Sequence, residues 1–115
     1  MLKNNDVVHE VRGLTAEHET QIAAFMQGAV YCWVKNRFAE PFALRDLFGG
    51  ENTIWTDTPL QVLYSRQAAL GKTPAEAHEQ AAKDAGWLLK KMLRDDQRTF
   101  TCQKDGLVNH YVWVP

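Results

Sequence analysis

The chain has 115 residues, 45% hydrophobic and 23% charged, the composition of one ordinary globular domain able to bury a modest core without metals or disulfides. Its 13 basic and 14 acidic side chains leave a net charge of −1, which excludes a globally basic nucleic-acid binder and confines any polyanion site to a local patch. No apolar run approaches the roughly 18 residues of a membrane span and no signal peptide is visible, so a cytoplasmic protein is expected, with Cys32 and Cys102 as reduced, largely buried thiols.

The first segment, Met1 to Gly13, opens on the polar tip Lys3-Asn4-Asn5-Asp6. Val7, Val8 and Val11 then make either a short edge strand or a loosely attached arm, so residues 1–14 stand apart from a single domain over 15–115. Thr15 is an N-cap, with Glu17 and Glu19 in the first turn where the helix dipole favours acids. The helix runs to about Arg37. Ile22, Met26, Ala29 and Trp33 form its apolar stripe, flanked by Phe25 and Val30, and Tyr31 points nearly opposite. Glu40-Pro41 breaks it.

Phe42 to Phe48 is a short helix, or a short strand entering one, ended by Gly49-Gly50. Glu51 to Asp57 is a polar loop pinned by Ile54 and Trp55. Thr58-Pro59-Leu60-Gln61 reads as a capping box opening a helix to Leu70, which Gly71 stops. Thr73-Pro74-Ala75-Glu76 is a second box of the same form, opening a long helix to about Arg94. Thr99 to Val114 is a β-hairpin with Lys104-Asp105-Gly106 as a three-residue loop. Its second strand places Tyr111 and Trp113 on one face and Val108, Val112 and Val114 on the other. One face covers the core, and the other meets the N-terminal segment or a second subunit. The fold class is therefore α+β, mainly α: a helical domain with a C-terminal hairpin.

At 100° per residue the long helix separates two faces. Ala77, Ala81, Ala85, Leu88, Leu89 and Met92 form the apolar one, with His78 at its border as a core-edge histidine. Glu76, Lys83, Lys90 and Arg94 form the other, with Trp87 among them. Either the first helix or the Glu51–Asp57 loop covers Trp87, or it anchors a partner. Lys83, Lys90, Lys91, Arg94, Arg98 and Lys104 gather toward the helix end and the hairpin, where they either contact phosphates or complement the helix dipole.

No phosphate-loop, dinucleotide, zinc-protease or nucleophile-elbow motif is present. His9, His18, His78 and His110 fall at no ligand spacing with each other or the cysteines, and Cys32 beside the stripe reads as a buried inert thiol. No catalytic residue, metal or cofactor is expected.

The order helix, Phe42–Leu44 element, helix, Gly71 turn, helix, Phe100–Val114 hairpin resembles a winged helix-turn-helix domain. The resemblance covers about Thr15 to Val114 and rests on the order of elements. It implies that Pro74–Arg94 is a recognition helix and Lys104-Asp105-Gly106 a wing tip. The start of that helix carries Glu76, Glu79 and Asp84, which repel phosphate where DNA readers usually enter the major groove. Small size and lack of catalytic motifs also resemble accessory proteins of phages or mobile elements. The first functional expectation is a small dimeric DNA-binding or regulatory protein, with Lys83, Lys90, Lys91, Arg94, Arg98 and Lys104 on phosphates. The alternative is a protein-interaction or assembly module in which Trp87, Tyr31, Tyr111 and Trp113 supply the contact.

Overall fold

The computed structural model describes residues 1–3, 7–49 and 53–115. The chain is mainly helical and ends in a two-stranded antiparallel hairpin: α1 (Ala16–Arg37), α2 (Leu44–Phe48), α3 (Gln61–Ala69), α4 (Pro74–Asp95), β1 (Thr99–Asp105) and β2 (Val108–Val114). Asn4, Asn5 and Asp6 of the expected polar tip, and Gly50, Glu51 and Asn52 of the expected stop and loop, lie outside the described residues.

Thr15 caps α1 as its chemistry predicts, its Oγ1 accepting from the His18 N–H at 3.0 Å. The fully covered residues of this helix are Ile22, Met26, Val30 and Val34. The stripe thus keeps to steps of four, and Ala29 and Trp33, expected at its centre, are half-buried on its flank. Cys32 is exposed, not buried, because it lies off this stripe. The following segment fulfils both expected readings. Phe42 makes a one-residue antiparallel bridge with Tyr111, and α2 begins two residues later. The Asp46 carboxylate reaches back to the Ala43 N–H at 2.7 Å and holds that start.

Trp55 is buried and its indole N–H donates to the Phe48 carbonyl at 2.9 Å, so it pins the loop as expected. Ile54 does not, being 79% exposed. α3 starts later than Pro59. Thr58 spends its hydroxyl on a tight turn, donating to the Trp55 carbonyl and accepting from Leu60 N–H, and the helix opens only at Gln61. Gly71, at φ +86°, takes the left-handed turn between α3 and α4. Thr73 caps α4 through the Glu76 N–H, with Pro74 at the first helical position.

α4 buries Ala77, Ala81, Ala85, Leu88, Leu89 and Met92, together with Leu93. It also buries two charges that helical projection places away from the core. Asp84 is 7% exposed and meets the Arg66 guanidinium of α3 at 2.5 Å. Gln67 and Gln80 side-chain amides complete its acceptors. Arg66 also donates to the Arg12 carbonyl. Asp84 is therefore an internal anchor between α3, α4 and the N-terminal segment, not a phosphate-repelling surface acid. His78 packs against Tyr64 with the rings tilted by 31° and their centroids 4.4 Å apart, a contact between α4 and α3.

The hairpin pairs Thr99 with Val114 through to Asp105 with Val108. That register leaves a two-residue loop, Gly106-Leu107, in place of the expected three-residue one. Gly106 has φ +63° and Leu107 does not share a positive φ, the pattern of a II′ turn with glycine first. Phe100, Cys102 and Tyr111 face the core. The N-terminal segment adds to the sheet at Leu2, which bridges Phe100 in parallel, and not through Val7–Val11. Leu2 and Val11 are both in the core, whereas Val7 is 63% exposed. Among the described residues of this segment, Leu2 and Val11 pack into the domain core. The Met1 ammonium donates to the carbonyls of Leu93, Asp96 and Arg98 at the end of α4.

Candidate functional site

The six cations expected on phosphate are not gathered into one patch. Lys90 is 4% exposed and engaged within the fold, its ammonium 5.6 Å from the Trp87 ring centroid. Its burial removes it from the surface set. Lys83 pairs with Glu79, Lys91 with Glu19 on α1, and Arg94 with its neighbour Asp95. Lys104 is exposed on β1. Arg98 is half-buried, its guanidinium 3.9 Å from the Tyr31 ring centroid and 5.6 Å from that of Trp113.

The four aromatic residues expected at a partner surface also separate. Trp87 is half-buried beneath His9, whose ring stacks on it at 4.0 Å and 16°. Among the described residues the ring that covers it belongs to the N-terminal segment, which the sequence reading does not name. Tyr111 is 2% exposed and belongs to the core. Burial pushes its phenol well above the ordinary range, the Cys102 thiol adding to the effect and a hydrogen bond with Asn109 opposing it. The alternation of the strand places Tyr111 and Trp113 on one face; Tyr111 is buried there, and Trp113, at the strand end, is half-buried.

Tyr31 and Trp113 do come together, and Arg98 is what joins them. Asp96, 8% exposed, fixes this arrangement. Its carboxylate accepts from the Tyr31 hydroxyl at 2.9 and 3.0 Å, from Gln27 Nε2 at 2.7 Å and from the Arg98 backbone N–H at 3.1 Å. Partial burial and then the Asp96 carboxylate raise the Tyr31 phenol above its usual range. On the far side of Trp113 stands Phe38, edge-on, with ring centroids 5.5 Å apart. Arg37, the residue before it, lies over Trp33 at 4.7 Å, and Trp33 donates its indole N–H to the Glu40 carbonyl. The result is a continuous face: Tyr31, Arg98, Trp113, Phe38, then Arg37 and Trp33.

Phe38 is the residue that sequence reading passes over. It closes α1 with φ 50° and ψ −121°, its N–H bonded to the Val34 carbonyl. Such backbone favours glycine and costs a bulky residue on the order of 1–3 kcal/mol. The ring gains little burial in return, being 62% exposed. A Phe two residues before the Glu40-Pro41 break, where a helix C-terminus ordinarily carries Gly or Asn, is the sequence signal that points to it.

A second surface lies between α4, α2 and the end of the hairpin. It is a groove of about 880 Å³ whose lining includes Ala43, Leu44, Ala82, Gly86, Trp87, Leu107 and Asn109. Leu107, at the hairpin tip, is 96% exposed. Among the described residues no group of three or more His, Cys, Asp or Glu side chains is placed to hold a metal ion, and no helix is long and apolar enough to cross a membrane. No family model, curated protein sequence or solved structure matches the chain.

Proposed function

We propose that this chain is a non-catalytic protein-interaction module of winged-helix type, acting in the cytoplasm, whose contact face is built on Tyr31, Arg98, Trp113 and Phe38. The single observation that carries the reading is Phe38: an exposed aromatic ring held on a backbone conformation that disfavours it, beside a tryptophan and a guanidinium. Trp, Tyr and Arg dominate the energetics of protein interfaces, and strain retained at an exposed position is a feature of functional sites. The winged-helix assignment is supported by the element order and by the Phe42–Tyr111 bridge. That one-residue bridge lies between the first two helices in sequence and pairs with the second strand of the hairpin.

The test is site-specific photocrosslinking from position 38, with position 65 on α3 as the control. The reading expects a defined protein adduct, a second copy of this chain included, from position 38 only. That adduct should be lost in Arg98→Glu, whose melting temperature is first shown to be unchanged. Equal adducts from both positions, or none from position 38, would remove the face.

A second reading, nucleic-acid binding, is favoured by Lys104, exposed on the hairpin, and by Lys91, Arg94 and Arg98 toward the end of α4. Anisotropy of a labelled mixed-sequence duplex at two salt concentrations decides it. Binding that weakens steeply with salt would mean several phosphate contacts, and its absence at low salt would end this reading for duplex DNA.

A further inference from the structure

The groove between α4 and the wing has a property that no side chain supplies. Tyr111 sends its backbone N–H and C=O away from β1, to Phe42, at 2.8 and 2.9 Å. Backbone groups alternate along an antiparallel strand, so Asn109, two residues earlier, points its own N–H and C=O the same way. Phe42 has no successor there, because the chain turns into α2 at Leu44. The Asn109 amide and carbonyl therefore have no backbone partner among the described residues, and both Asn109 and Leu107 line the groove. Among the described residues, the lane beside β2 that Phe42 begins is left open, with α2 and α4 as its walls.

From this we infer that the groove takes an extended segment of a protein partner, added to the outer edge of β2 as a further strand. The main-chain bonds would come from Asn109, and the partner's alternate side chains would meet the groove wall, as in other strand-addition complexes. That wall is shallow and apolar, with Ala43, Ala82 and Gly86 leaving room for side chains. Its charge favours an acidic segment through Arg45, since the other two charges of the lining, Lys83 and Glu79, offset each other. Glu79 is already paired with Lys83 at 3.4 Å, and Arg45 has no ion pair among the described residues. The occupant is thus an extended peptide alternating apolar and acidic residues. None of Tyr31, Arg98, Trp113 and Phe38 lines this groove, so the inference is independent of the aromatic face.

Two substitutions test it without attacking the core. A Cβ at Gly86 meets nothing within 4 Å, so Gly86→Leu projects a side chain into the groove and replaces a weak helix former. Asn109→Pro removes the outward N–H at an edge position, where proline is tolerated. A displayed library of random peptides is selected on the natural chain and counter-selected on Gly86→Leu, with melting curves confirming that both variants fold. The expected winners alternate apolar and acidic residues and bind Asn109→Pro about tenfold more weakly, the loss of one hydrogen bond. They also lose binding when N-methylated at alternate positions. No peptide preferring the natural chain over Gly86→Leu overturns the inference. So do winners that bind as helices, indifferent to Asn109→Pro and to N-methylation.

Discussion

The two surfaces differ in what they present. The aromatic face presents side chains, each held by another side chain: Arg98 between Tyr31 and Trp113, and Tyr31 on Asp96. The groove presents main chain at Asn109, between walls where Ala43, Ala82 and Gly86 leave room. A partner of the first surface reads residue identity. A partner of the second reads backbone geometry and shape. The two should therefore fail under different kinds of substitution, truncation for the first and proline or added bulk for the second.

Phe42→Ala should have the largest effect, because it breaks both. Phe42 is fully buried, touches Trp33, Phe100 and Tyr111 through its ring, and supplies the bridge on β2. A loss of about 3–5 kcal/mol is expected in denaturant unfolding. A value under about 1 kcal/mol would mean that the hairpin is not held as described. Alkaline pH acts on both surfaces too. The Tyr111 and Tyr31 phenols are raised above their ordinary range, so the folded state favours their neutral forms. That contribution is complete below the unfolded value of about 10 and is lost as pH rises through the folded values. A melting temperature that stays level from pH 9 to 11 would contradict this.

Asp96→Ala separates the surfaces. It leaves the Tyr31 hydroxyl and the Arg98 N–H without their acceptor, for about 1–3 kcal/mol, and should loosen the aromatic face while the groove survives. Gly86→Ala should do the reverse, raising stability by about 0.5–1 kcal/mol through helix propensity while narrowing the groove. Phe38→Gly is expected to change stability least, within about 1 kcal/mol, because relief of backbone strain offsets the lost edge-on contact with Trp113. A loss of more than about 2 kcal/mol would show that the ring is there for packing, and the case for the aromatic face would fall with it.

What was legible in the sequence is what depends on local chemistry. Thr15 and Thr73 announce their helices because a hydroxyl three residues before a free N–H has one obvious use. Thr58 carries the same signal and misleads, since the Trp55 carbonyl competes for its hydroxyl and the resulting turn delays α3. Helical projection of α4 separates alanines and leucines from charges, but it cannot see what approaches from other elements. Asp84 falls outside the apolar stripe and is buried all the same because Arg66 of α3 meets it; Lys90 is buried too, beside Trp87 of its own helix. The aromatic face is half legible. Tyr31, Trp113 and Arg98 are each conspicuous, but that they meet depends on Asp96 closing α4 against α1, a contact across 65 residues. The open lane on β2 leaves no trace in residue identity, because it follows from where Phe42 stops pairing.

The position of Asp96 also bears on time. The Arg98 N–H is bonded to a carboxylate that is itself held by Gln27 and Tyr31 of α1, so this amide is released only when α1 and the end of α4 part. Its exchange with deuterium should then follow the slow opening of the core and not the rapid fraying usual at a helix terminus. A partner arriving at Tyr31 and Arg98 meets a surface as rigid as the interior beneath it. Association there is set by encounter and orientation, with no ordering step to precede it.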